Sequence, residues 1–346
     1  MLESGWWAVV ATFEGAITGW RFAEVESDAQ NYTSVTLDTT AEPERVAPWQ
    51  GPSAGSWQSS LDEDAYVAAV EATRRAIRDG DVYQANICRI LSAPLDTGGD
   101  EPDAAALARL LAAGNPAPHA GAIHVPASTG LTPAWVVSAS PELFLSVAGD
   151  RVLTGPIKGT GATAADLREK DRAENVMITD LMRNDLQRVS LPGTVEVIDL
   201  CVVEHHPGLV HLVSRVGATL RESGTAAAWQ SLLAATLPPG SVSGAPKSSA
   251  LQLIAELETA PRGPYCGAVG WIDADAGRAE LAVGIRTFWW TRDAPGTGTL
   301  RFGTGAGITW GSEPAAEWRE TELKAARLVA LASGAAPVHR RGRLVP

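Results

Sequence analysis

The chain has 346 residues, 45% of them hydrophobic and 20% charged, with 40 acidic against 28 basic side chains and a formal net charge of −12. That length supports a large core in one or two domains. The acidity argues against nucleic acid as the main partner, because phosphate binding needs a basic face, but leaves open a small anion held by local cations.

No apolar run is long enough to span a bilayer. Cys88, Cys201 and Cys266 are odd in number and lack metal-ligand spacing, which fits a reducing compartment. The first twenty residues carry Glu3 and Glu14 and no basic leader region. A soluble cytoplasmic protein, with no membrane partner, is the expectation.

Residues 6–13 and 16–25 read as two strands about a turn at Glu14-Gly15. From Glu26 to Ser59 the composition turns to Ser, Thr, Pro, Asp and Glu, a linker with one strand near Ser34–Leu37. Ser60 and Glu63 have capping-box spacing, and Tyr66, Ala69, Val70, Thr73 and Ile77 share one face of a helix that Gly80 stops. A strand follows over Val82–Leu91, then a short helix from Asp103 to Ala113, then strands around 119–125, 134–139, 142–147 and 151–154.

Gly155-Pro156 marks a turn, after which Lys158 stands among small residues. The chain has Lys158, Lys170, Lys247 and Lys324 as its lysines, arginine supplying the other cations. Only a lysine can shed its proton near neutral pH and act as nucleophile or base. Taken alone, Lys158 is more often a solvated loop residue.

Ala164–Leu186 is the longest helical pattern, with Asp171, Glu174, Ile178 and Leu181 on one stripe. Carboxylates flanked by apolar residues along such a stripe need a cation or a metal if they face inward. Strands are expected over Val195–Val203 and Leu209–Leu220, and a helix over Thr225–Leu237. The second of these strands holds His211, and a lone histidine in an apolar strand is more often a satisfied core residue than a catalyst. The loop from Pro238 to Lys247 looks a little like a phosphate cradle, but Pro246 stands where a Walker motif needs glycine. A helix runs from there to Glu258. Strands at 265–273, 278–291 and 300–309 follow, the last ending in Gly303-Thr304-Gly305-Ala306-Gly307, whose backbone could meet an anion. The final helix spans about 312–333 with Glu317, Glu320, Lys324 and Arg327 on one face, a pattern common in surface salt-bridged stripes. The tail from Gly334, with Arg340, Arg341 and Arg343, is expected to be loose. The tally is an α+β chain rather than a strict βαβ alternation.

In this order the segments GDVYQANICRIL, SPELFL, GPIKGTGAT, DRAENVMITDLMRNDLQRV, HLVSRVGATL, PPGSVSGAPK, GPYCGAVGWID, GIRTF and GTGAGITWGSEPAAEWRETELKA resemble the chorismate-utilising enzymes. That family includes anthranilate, aminodeoxychorismate, isochorismate and salicylate synthases. The resemblance covers residues from about 60 to 333. It implies large antiparallel sheets forming the core with helices packed outside, an abbreviated N-terminal region over 1–59, a catalytic domain over 60–333 and a tail over 334–346.

It also implies a cleft that takes chorismate with Mg²⁺. Glu174 and Glu320 match the metal ligands, with Asp171 and Glu317 behind them. Arg286, Tyr265 and the backbone of Gly305, Ala306 and Gly307 match the grip on the enolpyruvyl carboxylate. Thr160 and Lys324 are implied at the substrate, and His211 near the ring.

Isochorismate and salicylate synthases are similar in carrying a lysine base where this chain has Gln84, which cannot take a proton from water. Anthranilate and salicylate synthases have alanine where this chain has Lys158. The lysine version resembles aminodeoxychorismate synthase component I, with Lys158 as nucleophile, Glu142 as the acid, and ammonia from a separate glutamine amidotransferase subunit. The rivals are an anthranilate synthase component, a non-catalytic chorismate-binding regulatory subunit and, remotely, a nucleotide-binding protein built on the 238–247 loop. With its short N-terminal region, a tryptophan-feedback site of the kind some relatives carry is not expected.

Overall fold

The structure is a computed structural model that describes residues 3–25, 48–161, 163–206, 209–294 and 296–336. The strand expected near Ser34–Leu37 and the tail with Arg340, Arg341 and Arg343 lie outside the described residues. In chain order the strands are β1 (Trp6–Ala11), β2 (Ile17–Phe22), β3 (Gln58–Ser59), β4 (Gln84–Asp96), β5 (His119–Val125), β6 (Ala134–Ser140), β7 (Leu143–Ala148) and β8 (Arg151–Gly155). They continue with β9 (Ile157–Gly161), β10 (Glu196–His206), β11 (Leu209–Thr219), β12 (Gly244–Ala245), β13 (Ala268–Asp273), β14 (Arg278–Val283), β15 (Thr287–Ala294) and β16 (Thr297–Ile308). The helices are α1 (Glu63–Asp79), α2 (Ala104–Gly114), α3 (Glu169–Gln187), α4 (Ala226–Thr236), α5 (Lys247–Leu257) and α6 (Pro314–Ala332).

Two antiparallel sheets organise these elements. A nine-stranded sheet runs β10-β11-β8-β7-β14-β13-β1-β2, with β9 also on β11; a seven-stranded sheet runs β12-β4-β16-β15-β6-β5, with β3 on β4. Residues of both sheets share the main core, among them Val9, Ile90, Val136, Phe144, Leu145, Ile272 and Leu281. A second core lies where α2 and α6 cover the seven-stranded sheet, with Leu107, Leu111, Phe288, Phe302, Leu328 and Leu331. Helix α3 packs on β9, β10, β11 and α4 and adds Ile178, Met182 and Leu186 to the main core. The α+β expectation, large antiparallel sheets with helices outside, matches this architecture.

Three local differences from the sequence reading matter for the site. First, 278–291 is two strands in different sheets. β14 pairs β13 and β7, and β15 pairs β16 and β6. The break falls at Gly284-Ile285-Arg286, where Arg286 has φ 51. Hydrophobic alternation cannot register such a switch, because both strands are buried.

Second, the glycine-marked turn at Lys158 opens directly into β9, because β11 supplies a ladder through Val210↔Gly161, His211↔Thr160 and Val213↔Ile157. Third, α3 begins at Glu169 after a short 3₁₀ turn at Ala164–Asp166, and its buried face runs through Asn175, Ile178, Thr179, Met182 and Asp185. Glu174 lies at the border of that face. A smaller correction concerns α1. Its cap is Asp62, which accepts from the Ala65 N–H at 2.9 Å, while the Ser60 hydroxyl accepts the Ile90 N–H of β4 at 3.0 Å.

Close approach explains one glycine of β16. A Cβ on Gly303 would sit 2.1 Å from Cγ and Cδ1 of the Tyr265 ring. Gly303→Ala is therefore expected to destabilise the protein by about 1–3 kcal/mol, the usual range for overpacking, read as a lower urea midpoint with unchanged slope.

Candidate active site

The chain crosses between the sheets at two adjacent links, and each carries a charged group. Glu142 lies between β6 and β7, and Arg286 closes the link from β14 to β15. The links are tied side by side: the Val283 N–H donates to Glu142 O at 3.0 Å, and the Ala139 N–H donates to Arg286 O at 3.0 Å. The left-handed backbone at Arg286 is a strained conformation for a side chain of its size, of the kind that gathers at functional sites. Burial depresses its pKa below the ordinary arginine range. Its guanidinium has no hydrogen-bond or ion-pair partner among the described residues. A largely desolvated cation without a counter-ion is a receptor for an anion.

Glu142 is 4% exposed. Burial raises its pKa to about 7, held back by Ser241, the Lys158 charge, the Ile157 backbone and His119. A carboxyl poised there can hold a proton at neutral pH and release it to a leaving group.

Lys158, projecting from β9, meets Glu174 of α3 at 2.9 Å, both side chains 13% exposed. Gln84, at the start of β4, donates from Nε2 to the same carboxylate oxygen at 2.7 Å. A Cβ at Gly307 would lie 2.4 Å from Gln84 Nε2 and 2.7 Å from Glu174 Oε1, so a side chain there would displace the ends of both from this arrangement. Burial works to lower the Lys158 pKa, but the charges of Glu174, Glu142 and Glu320 outweigh it and raise the value. Burial likewise opposes ionisation of Glu174, and Lys158 and Gln84 overcome it, so that the carboxylate is held below its ordinary value.

On α6, Glu320 pairs with Lys324 at 2.8 Å, and Lys324 donates to Gly305 O at 2.9 Å. Glu174 and Glu320 repel each other through space, and Lys170 favours the charged form of both. Glu317 lies 3.7 Å from Lys170 and is 6% exposed. Burial, then the like charge of Glu320, raise its pKa despite Ser312. Asp171 is engaged at the start of α3, where its carboxylate accepts the Arg168 N–H at 2.8 Å. Besides Glu142, the carboxylates of the site thus come from α3 and α6, facing each other across the end of β16.

His211 is 3% exposed on β11, opposite Thr160 in the ladder. Gly305, Ala306 and Gly307 pair with Cys88, Ile87 and Asn86 of β4. The pairing of β16 with β15 ends at Phe302, so the other edge of this segment has no strand beside it among the described residues. Tyr265 is 5% exposed, its ring over Gly303; burial, then the neighbouring Cys266 and Cys88, push its pKa well up.

The 238–247 loop does not present its lysine as a phosphate cradle would. Lys247 is tied to Asp185 at 2.6 Å and to Thr236 O at 3.1 Å. The loop instead brings Ser241, 3% exposed, to Glu142. Sequence reasoning passed over Ser241, and it took Gln84 only as a residue unable to act as a base. The signal for Gln84 was its place at the mouth of a buried strand. Elsewhere, between β1, β13 and β5, an aromatic-walled cavity is lined by Trp6, Phe22, Trp271 and the His119–Glu280 pair.

Over residues 10–330 the sequence matches the family of chorismate binding enzymes. The chain belongs to that family. It is 37% identical over 294 residues to an anthranilate synthase component 1 of Haloarcula marismortui, covering 80% of this chain and 54% of the relative. It is 36% identical over 288 residues to an aminodeoxychorismate synthase component 1 of Klebsiella aerogenes, covering 79% and 59%. The chain thus spans about half the length of the curated relatives it matches. The crystal structure of anthranilate synthase component I from Streptococcus pneumoniae superimposes with a TM-score of 0.67 at 30% identity, over 82% of this chain and 61% of that one. No helix among the described residues is long and apolar enough to cross a membrane.

The Glu142 carboxyl yields a stability test. Its folded pKa, about 7, lies above the ordinary 4.5, so between these values the folded state holds a proton that the unfolded state has lost. Stability contributed by this group therefore falls as pH rises from about 4.5 to 7. Glu142→Gln should gain stability relative to the parent protein between pH 5 and pH 8, by at most about 3 kcal/mol, read from paired denaturant melts.

Proposed function

We propose that this chain is the chorismate-aminating component of an aminodeoxychorismate synthase. The observation that carries the reading is the Lys158 amine itself, buried between Glu174 and the field of Glu142 rather than solvated on a loop. Lys158 adds to C2 of chorismate, the ring double bonds shift, and the C4–O bond breaks. Glu142 gives its proton to the departing hydroxyl, which leaves as water. Ammonia then adds at C4, the double bonds shift back, the C2–N bond breaks, and Lys158 returns as the free amine. The product is 4-amino-4-deoxychorismate, and Glu142 recovers its proton from the product ammonium.

The resting site favours Lys158 as an ammonium, so before attack the pair with Glu174 has to open and the ammonium has to release one proton to solvent. Burial alone does not deprotonate it, contrary to the simplest expectation for a desolvated cleft. Mg²⁺ fits the donor chemistry, since Glu174 and Glu320 offer hard oxygens that repel each other when both are charged. Among the described residues no three metal-ligating side chains converge; Mg²⁺ ordinarily takes one or two carboxylates and completes its shell with water and substrate oxygens. When bound, the ion supplies positive charge that competes with Lys158 for Glu174 and neutralises a substrate carboxylate. Arg286 takes the second carboxylate, with the open edge of Gly305–Gly307 beside it, and Tyr265 and His211 are the further side chains read as substrate-facing. Ammonia comes from a glutamine amidotransferase partner, in keeping with the component 1 names of the relatives.

A second reading, an anthranilate synthase component, is favoured by the names of most of the similar relatives. The two differ in product. With chorismate, Mg²⁺ and excess ammonium, the proposed function gives an amine-for-hydroxyl product without pyruvate. Anthranilate with pyruvate would establish the second reading instead. Lys158→Ala should lower kcat by about 100-fold or more, as loss of a nucleophile does; a wild-type rate would remove the covalent step.

A further inference from the structure

Behind the Lys158–Glu174 pair lies a buried polar cluster that touches neither. Ser214 of β11 and Asn175 of α3 are both 0% exposed. The Ser214 hydroxyl accepts the Cys201 N–H at 3.0 Å and donates to Asn175 Oδ1. Asn175 Nδ2 donates to Leu212 O at 3.1 Å, and the Cys201 thiol points to Asn175 Oδ1 at 3.5 Å. The Ser214 N–H donates to Pro156 O at 3.1 Å, two residues before Lys158. One serine thus touches the strand entry of Lys158, the helix residue adjoining Glu174, and the bulge of β10, and it lies three residues from His211 on the same strand.

The cluster does what the surrounding core cannot. Ile178 and Met182 bury α3 against the sheet, but apolar burial is non-directional and constrains rotation and axial position less sharply than a directed hydrogen bond does. One residue of helix is 1.5 Å and about 100° of rotation, enough to carry Glu174 away from Lys158. The paired hydrogen bonds at Asn175 fix both. The β10 ladder is irregular where it meets them. Its register shifts between Val197 and Asp199 and again between Asp199 and Val202, and Cys201 stands at φ 54 with its N–H on Ser214.

We propose that Ser214 and Asn175 are positioning residues that hold Glu174 in register with Lys158 and so set the affinity of the Glu174 carboxylate for a divalent cation. This rests on the reading of Glu174 as a metal-holding group. Ser214→Thr and Ser214→Val are nearly equal in size and both suit a strand, but only threonine keeps the hydroxyl. The full chain is titrated with Mn²⁺ alone, followed by water-proton relaxation, and the Mg²⁺ dependence of turnover is measured beside it.

The valine variant should bind Mn²⁺ about tenfold or more weakly, as loss of a group supporting a metal ligand does. Its Mg²⁺ requirement should rise in step, while threonine stays near wild type. Glu174→Gln should lose the ion. If Glu174→Gln loses it and Ser214→Val binds as the parent does, the positioning role is wrong and the reading of Glu174 stands. If Glu174→Gln binds as the parent does, or neither binds, that reading fails and the proposal with it. A valine variant that does not fold while threonine does would assign the hydroxyl to the fold and overturn the proposal.

Discussion

The structure turns on one ion pair, Lys158 with Glu174 at 2.9 Å, each side chain 13% exposed. Two charges so far from water are tolerated only when their geometry is close and further hydrogen bonds complete it. Gln84 supplies one such bond to Glu174. The charge of Glu174, then those of Glu142 and Glu320, raise the Lys158 pKa against its burial. The pair requires β9 and α3 to meet in one register. That in turn draws on β11, which pairs β9 and packs against α3, and on the bareness of Gly307, where a Cβ would displace the ends of Glu174 and Gln84.

The second constraint is the double crossing between the sheets. Two links side by side bring Glu142 and Arg286 to one place from residues far apart in sequence. Their backbones are bonded to the neighbouring strands, so each charge sits on a rigid support rather than a loop. A guanidinium with no partner among the described residues and a carboxyl with a pKa near 7 then stand at the boundary of two sheets, a cation and an acid side by side. Both charges are costly in an empty interior, which is the usual sign of a site shaped for a ligand.

Much of this was legible from the chain. Trp- and Val-rich alternation gave the strands, Gly80 and Thr225 marked helix ends, and nine ordered segments pointed to the family. What escaped has a common physical cause. Asn175 and Asp185 are polar residues on a buried face, satisfied by Leu212, Ser214 and Lys247. Periodicity reads such residues as solvent-facing and shifts the buried stripe by one position. The break at Gly284–Arg286 was hidden because both flanking strands are buried, and β9 was hidden because its glycines suggest a loop until β11 is seen to pair with it. The pKa of Lys158 was likewise out of reach, since its sign depends on three carboxylates contributed by other elements.

In the proposed reaction the Lys158 amine bonds to the substrate ring. The most direct measurement starves the enzyme of ammonia, mixes it with chorismate and Mg²⁺, quenches within a turnover, and reads the mass of the peptide containing Lys158. The expected result is that peptide carrying chorismate less one water, absent from Lys158→Ala and diminished in Glu142→Gln. An unmodified Lys158 peptide in an enzyme that still aminates chorismate at C4 would contradict it.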